Sequence, residues 1–385
     1  MNILIVNDQF FSANNGMTIS SRRFAECLRR DGYNVRIAST AAPGQTPYRM
    51  ETYHLPVFDN LVTAQGMAFA LPDDAVLREA VEWADVVHLY VPFALERHAL
   101  RIAQELGKPY TAAFHVQPEN ISSSIHLKDA GFVNSGIYEG FYRYFYRYCD
   151  LVHCPSEFIA GELRRHGYHN RLVVISNGID PDFHYQRREK DPEFEGQFLI
   201  MMTGRYSIEK RQDVLIEAIA RSRYASRIRL VLAGQGPRRA FLERCAKKLP
   251  VPPVLRFFPK DELIRLLSQA DLYVHAADIE IEAMACMEAF ATGCVPVIAD
   301  SPRSATPQFA LDSRSLFPAG DADALAERID YWLSHPENRC VMGQRYAESA
   351  APYALAHCVH QAEEMFETAV REHTPREGRV FPVQS

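Results

Sequence analysis

The sequence predicts an α/β protein built from two doubly wound domains, and three observations carry that expectation. Its 385 residues exceed what one compact core usually holds and suffice for two. Short apolar, β-branched runs alternate with helix-length amphipathic segments, the pattern of parallel strands joined by helices. The alternation stops at a polar, turn-rich stretch near mid-chain and then begins again.

The first strands are expected at Ile3 to Val6, Val35 to Ser39, Val86 to Val91, Tyr110 to His115, Leu151 to Cys154 and Val173 to Ile175. Turn formers at Asn177-Gly178-Ile179-Asp180-Pro181 and the charged run Gln186 to Gln197 mark the interruption. The second set follows at Phe198 to Thr203, Ile228 to Ala233, Val254 to Phe258, Leu272 to Ala276 and Val295 to Ala299. The domains expected are therefore 1–185 and 186–350. A final helix in 351–373 crosses back to the first domain, and 374–385 forms a tail. Ligands of such sheets sit beyond the carboxyl ends of the strands, so a cleft faced by both domains is the expected site.

Composition narrows the class. With 47% hydrophobic and 23% charged residues the chain is an ordinary globular protein. It has no apolar run near the roughly 18–20 residues that span a bilayer. The opening Met1-Asn2-Ile3-Leu4-Ile5-Val6 reads as a buried strand without an export leader. Eight cysteines lie singly, with no Cys-x-x-Cys pair, which suits reduced thiols and a cytoplasmic location. A net charge of −6 argues against nucleic acid as a partner.

The most informative segment runs from Ala277 to Ile298. It leaves a strand and opens a helix that Gly293 terminates. Backbone amides around Ile281, Glu282 and Ala283 precede the helical ladder and suit a diphosphate or sugar hydroxyls. Glu280 and Glu288 stand eight positions apart, before the helix and about two turns within it. Helix-dipole acids are the plainer reading of either residue alone. A second cluster, Thr203-Gly204-Arg205-Tyr206-Ser207-Ile208-Glu209-Lys210-Arg211, also follows a strand. Arg205 and Lys210 carry the charge that a departing diphosphate needs, against the alternative of a solvated basic loop.

Glu280, seven residues, Glu288-Ala289 and then Gly293-Cys294-Val295-Pro296-Val297-Ile298 resemble the signature of the retaining GT-B glycosyltransferases of family 4. Gly204-Arg205 followed by Glu209-Lys210 resembles a second family motif. The resemblance implies the GT-B fold, with Glu280 near the transferred sugar and Glu288 on the ribose hydroxyls. It also implies that the turn Ala233-Gly234-Gln235-Gly236-Pro237 abuts the donor and that the backbone near Phe258 and Pro259 borders the base. Gly16, in Asn14-Asn15-Gly16-Met17-Thr18, matches a glycine-rich loop facing donor and acceptor, and His115 matches a histidine that contacts the donor sugar. The chain departs from the family at Ile281-Glu282-Ala283, where a glycine is usual, and at Arg211, which replaces the glycine after the lysine. Either Glu280 or Glu282 can then be the acid on the sugar, with spacing favouring Glu280.

The implied activity is hexose transfer with retention, glucose on UDP being the first donor to consider, to a hydroxyl acceptor such as diacylglycerol or a cell-envelope glycan precursor. No metal or cofactor is implied; the nucleotide sugar is a substrate. The alternatives are a non-catalytic sugar-nucleotide-binding subunit and an epimerase of the same fold. Tyr138 to Tyr148 holds seven aromatics around Arg143 and Arg147, spaced i, i+4 for one helix, with Tyr144 between them. Such a helix suits a lipid headgroup boundary, and thus a peripheral place on the inner face of the membrane, or a core flanked by snorkelling arginines.

Overall fold

The computed structural model describes residues 1–11, 16–53, 69–124 and 130–374. The chain divides into two units, Met1–Gly178 with Ala356–Ser385, and Ile179–Leu355.

Unit 1 begins with β1 (Asn2–Val6), α1 (Gly16–Arg30), β2 (Asn34–Thr40), β3 (Tyr48–Tyr53), β4 (Phe69–Leu71), α2 (Asp74–Trp83), β5 (Val86–Leu89) and α3 (Ala94–Glu105). It continues with β6 (Tyr110–Ala113), α4 (Pro118–Ser124), α5 (Gly131–Tyr144), β7 (Leu151–Cys154), α6 (Glu157–Arg165) and β8 (Arg171–Val174). The strand order is β4-β3-β2-β1-β5-β6-β7-β8, with β3 and β4 the antiparallel pair. β1 is the centre: Ile5 pairs with Ile37 on one side and His88 on the other, and Ile3 to Val6 are fully buried. A strand covered on both faces reads as an unbroken apolar run, which is why it is visible in the sequence. β3 and β4 escaped that reading because Tyr48-Arg49-Met50-Glu51 alternates buried and exposed residues and β4 is three residues long.

Unit 2 carries β9 (Phe198–Thr203), α7 (Gln212–Arg221), β10 (Ile228–Ala233), α8 (Arg239–Ala246), β11 (Val254–Arg256), α9 (Lys260–Gln269) and β12 (Leu272–His275). It ends with α10 (Met284–Ala291), β13 (Pro296–Asp300), β14 (Leu316–Pro318), α11 (Ala322–Ser334) and α12 (Pro336–Ser349). The order β11-β10-β9-β12-β13-β14 reverses direction between β9 and β12. Open sheets of this kind take ligands beyond the carboxyl ends of the strands at such a reversal.

The last helix, α13 (Leu355–Glu372), completes unit 1. Cys358, Val359, Ala362, Met365, Phe366 and Ala369 form its buried stripe at helical spacing. The Phe366 ring lies 5.2 Å from His88, and Tyr33 Oη donates to Glu367 at 3.2 Å. The division after Gly178 precedes the expected 185/186 boundary. Ile179 N donates to Tyr353 O at 2.7 Å and Asp180 accepts from Lys260 at 2.6 Å, so the turn-rich segment packs with unit 2.

The aromatic stretch is not one helix. α5 ends at Tyr144, Phe145 adopts φ −146° and ψ −68°, and Tyr146–Tyr148 forms a 3-10 turn. Arg143 and Arg147 therefore do not share a helical face, although both are exposed. Tyr138, Phe145 and Tyr146 turn inward instead, where Tyr138 stacks on Phe114 at 5.9 Å and Tyr146 meets it at 5.3 Å. Among the described residues no helix is long and apolar enough to cross a membrane.

Candidate functional site

The charged residues of unit 2 gather where β9 and β12 end. The loop after β9 carries Gly204 to Arg211, and the loop after β12 carries Ala276 to Ala283. The two are tied by Asp278 N donating to Glu209 O at 2.8 Å. A third segment braces the second loop: Glu280 N donates to Arg303 O at 3.4 Å, and Ala305 N to Glu280 O at 2.9 Å.

Lys210 Nζ forms a short ion pair with Glu280 Oε1, and His275 Nε2 reaches the same oxygen at 3.0 Å. Burial alone would raise the Glu280 carboxyl, but the Lys210 charge and the hydrogen bonds from His275 and Lys210 hold it down at about 2. Burial likewise works against the Lys210 ammonium, and the Glu280 charge outweighs it to raise Lys210 above its ordinary value. Arg205 stands close enough to Lys210 to oppose that rise, and burial pushes its guanidinium down. A fixed carboxylate thus sits beside two cations. The cations can meet a diphosphate, while the carboxylate can accept from a sugar hydroxyl.

The glycines explain how the loops come so close. A Cβ at Gly234 would lie 2.0 Å from Gly204 O, and one at Gly236 would lie 2.6 Å from Tyr206 O. Backbone bonds seal the contact, with Tyr206 N donating to Gln235 O at 2.9 Å and Arg238 N to Tyr206 O at 3.1 Å. Gly234 is thus required by loop-against-loop packing, whatever it does for a ligand.

Two departures from the family pattern acquire a physical reading. Arg211 (φ 53°) and Ala283 (φ 70°) are the non-glycine residues in the left-handed region among those described. They occupy the two positions where the sequence motifs otherwise call for glycine. Both residues hold a backbone shape that glycine adopts freely, at a cost in local strain. Arg211 offsets its share through ion pairs to Asp278 at 3.3 Å and Asp213 at 3.4 Å. Ala283 caps α10, where Cys286 N donates to Ala283 O at 2.9 Å.

Of the other unit 2 candidates, Glu282 is buried, Glu288 is half-buried on α10 and Ile281 is half-buried. Phe258 is buried, with the Arg256 guanidinium over its ring at 3.8 Å, and Pro259 beside it is exposed. Phe257, not singled out in the sequence, is the exposed ring of that turn, at 63%. His275 and Asp278 also went unremarked. A histidine closing the buried run Leu272-Tyr273-Val274 was the available signal for the first.

In unit 1, Gly16 opens α1, while Asn14 and Asn15 lie outside the described residues. His115 sits two residues past the end of β6 rather than within it. It stacks on Tyr90 at 4.8 Å and meets His153 edge-on at 5.2 Å. Burial, with His153 and His88 nearby, holds it well below the ordinary histidine value, so the ring is neutral. Its Nε2 has no hydrogen-bond partner among the described residues. Tyr144 is 56% exposed, apart from the buried rings of its own segment.

The family model for glycosyl transferases group 1 matches residues 185–349, and that for Glycosyltransferase Family 4 matches residues 14–183. The chain is 28% identical over 324 residues to the GDP-mannose-dependent alpha-mannosyltransferase of Corynebacterium glutamicum, covering 80% of this chain and 73% of that protein. It is 25% identical over 321 residues to the alpha-monoglucosyldiacylglycerol synthase of Streptococcus pneumoniae, covering 78% and 71%. Sucrose-phosphate synthase from Thermosynechococcus elongatus superimposes with a TM-score of 0.74 at 15% identity, over 95% of this chain and 98% of that one, a likeness of fold.

Proposed function

The chain belongs to glycosyltransferase family 4, and from that premise we propose that it moves a hexose from a nucleotide sugar to a hydroxyl of a glycolipid-type acceptor, with retention of configuration and without a metal. The observation that carries the site is the Lys210–Glu280 pair beside Arg205, at the reversal point of the second sheet. Lys210 and Arg205 stabilise the diphosphate as its bond to the anomeric carbon breaks. The acceptor oxygen forms the new bond on the same face, and its proton passes to the departing diphosphate oxygen. Glu280, kept ionised, holds a sugar hydroxyl and faces the positive charge that develops on the ring. His115, neutral and with an open Nε2, suits a further contact to the donor sugar.

Glucose on UDP is one donor consistent with this reading. The Corynebacterium relative, whose name gives GDP-mannose, makes that compound the second to test. The lipid acceptor is supported by the Streptococcus relative's name and by the exposure of Arg143, Tyr144 (56%) and Arg147, residue types suited to an anionic bilayer.

The test is nucleotide release from UDP-glucose and GDP-mannose with diacylglycerol vesicles present and absent. One donor should be consumed, and Lys210→Ala should lower kcat by about a hundredfold or more. Donor binding with no turnover under any condition would favour the non-catalytic subunit instead.

A further inference from the structure

Glu280 is held by two donors of different kinds. Lys210 is a point charge on a four-carbon stem, whereas His275 is a ring at the end of a central strand, only 2% of its side chain exposed. Both donate to Oε1, so the other carboxylate oxygen is left for a ligand hydroxyl. The geometry points to His275 as a positioning residue that keeps Glu280 oriented when Lys210 turns from it to a bound diphosphate. This rests on the reading of Glu280 as the acid beside the transferred sugar.

The proton on Nε2 follows from its partner. An ionised carboxylate only accepts, so His275 Nε2 must carry a proton. Its Nδ1 faces Tyr273 Oη at 3.5 Å, and that hydroxyl lies 3.4 Å from both N and O of Thr203. Burial pushes the Tyr273 phenol well above its ordinary range, so it keeps the proton that it donates to Thr203 O. The ring therefore presents an Nε2 proton to Glu280 and sets its other nitrogen against Tyr273, which bonds to the end of β9. Thr203, Tyr273, His275 and Glu280 make a line from the strand that begins the Lys210 loop to the acid that Lys210 pairs with. His275 does not touch the reacting atoms and acts through Glu280.

A residue that only filled space at the end of β12 would be replaced without harm by an apolar side chain of similar size. A positioning residue would not. With the full chain, His275→Leu should lower kcat for sugar transfer by about ten- to hundredfold. Affinity for the nucleoside diphosphate alone should stay within about twofold of the native protein, because that ligand has no sugar for Glu280 to meet. His275→Gln, whose amide can place N–H near the Nε2 position, should recover most of the loss. Equal damage in both variants, or native turnover in His275→Leu, would overturn the assignment.

If the native protein turns over no donor, the proposed function fails while the contact remains testable by long-range proton–nitrogen NMR of histidine-labelled protein. His275, identified by loss of its signal in His275→Gln, should carry a proton on Nε2 and should shift in Glu280→Ala. The Nδ1–H tautomer, or no response to Glu280→Ala, would refute the inference. The same spectra decide the matter if His275→Leu does not fold.

Discussion

At the scale of single residues, the two left-handed positions give opposite expectations. Ala283 holds φ 70° with no compensating side-chain contact in the way Arg211 has, so Ala283→Gly should relieve strain and stabilise the protein by about 1 kcal/mol in denaturant unfolding. Arg211→Gly relieves similar strain but takes the Arg211 charge away from Asp278, whose side chain is 5% exposed. The loss of that pair outweighs the relief even after allowing for the partly exposed arginine, and the variant should be about 2 kcal/mol less stable. A stabilised Arg211→Gly would mean that the ion pair adds nothing. Because Arg211 also adjoins Lys210, its substitution should disturb turnover more than that of Ala283.

At the scale of elements, the carboxyl end of the first sheet holds groups whose protonation sets a stability window. Asp8 follows β1 and Glu96 lies in the first turn of α3, both buried, with Asp8 Oδ1 accepting from Ala70 N at 2.6 Å. Burial raises Asp8 from 3.8 to about 6, and burial with the Asp8 charge raises Glu96 well above its ordinary value. A carboxyl raised in the folded state stabilises below its unfolded pKa and loses that contribution as pH climbs through the folded value. Unit 1 should therefore weaken from about pH 4 upward on this account. Glu96→Gln removes the need to hold a proton, so it should stabilise unit 1 at pH 8 by at least about 1 kcal/mol. The gain should vanish below pH 4; a gain that is constant across this range would rule out proton sharing. His88, His115 and His153 act in the other direction, being held neutral by burial. Their contribution is present above about pH 6.5 and lost as pH falls, through about 4 for His153.

At the scale of the whole molecule, the chain leaves unit 1 at Gly178 and re-enters it with α13. The stability of unit 1 thus depends on residues nearly two hundred positions away in sequence. Phe366, 2% exposed, packs against His88 of β5, and Phe366→Ala should cost unit 1 about 4 kcal/mol. The two tryptophans separate the readouts, Trp83 lying in α2 of unit 1 and Trp332 in α11 of unit 2. With Trp83 replaced by Phe in one series and Trp332 in the other, fluorescence should show the unit 1 transition moving and the unit 2 transition staying. Equal movement of both would mean that the chain unfolds as one cooperative body.

The sequence by itself determined the parallel strands buried on both faces, because an unbroken apolar run such as Ile3 to Val6 or Leu199 to Met202 has no other stable place. It also determined which charges deserve attention, since Gly204-Arg205, Glu209-Lys210 and Glu280 to Glu288 are local patterns with fixed spacing. The tertiary structure decided what spacing does not encode. The edge strands β4 and β14 are three residues each, too short for a period to show, β3 alternates buried and exposed residues, and the break at Phe145 depends on rings turning toward Phe114. His275 meets Glu280 because the loop after β12 folds back over its own strand end, and Arg211 meets Asp278, 67 residues further along the chain, because β9 and β12 are neighbours. A side chain's partner across such a distance is set by sheet order and loop closure, which only the assembled fold specifies.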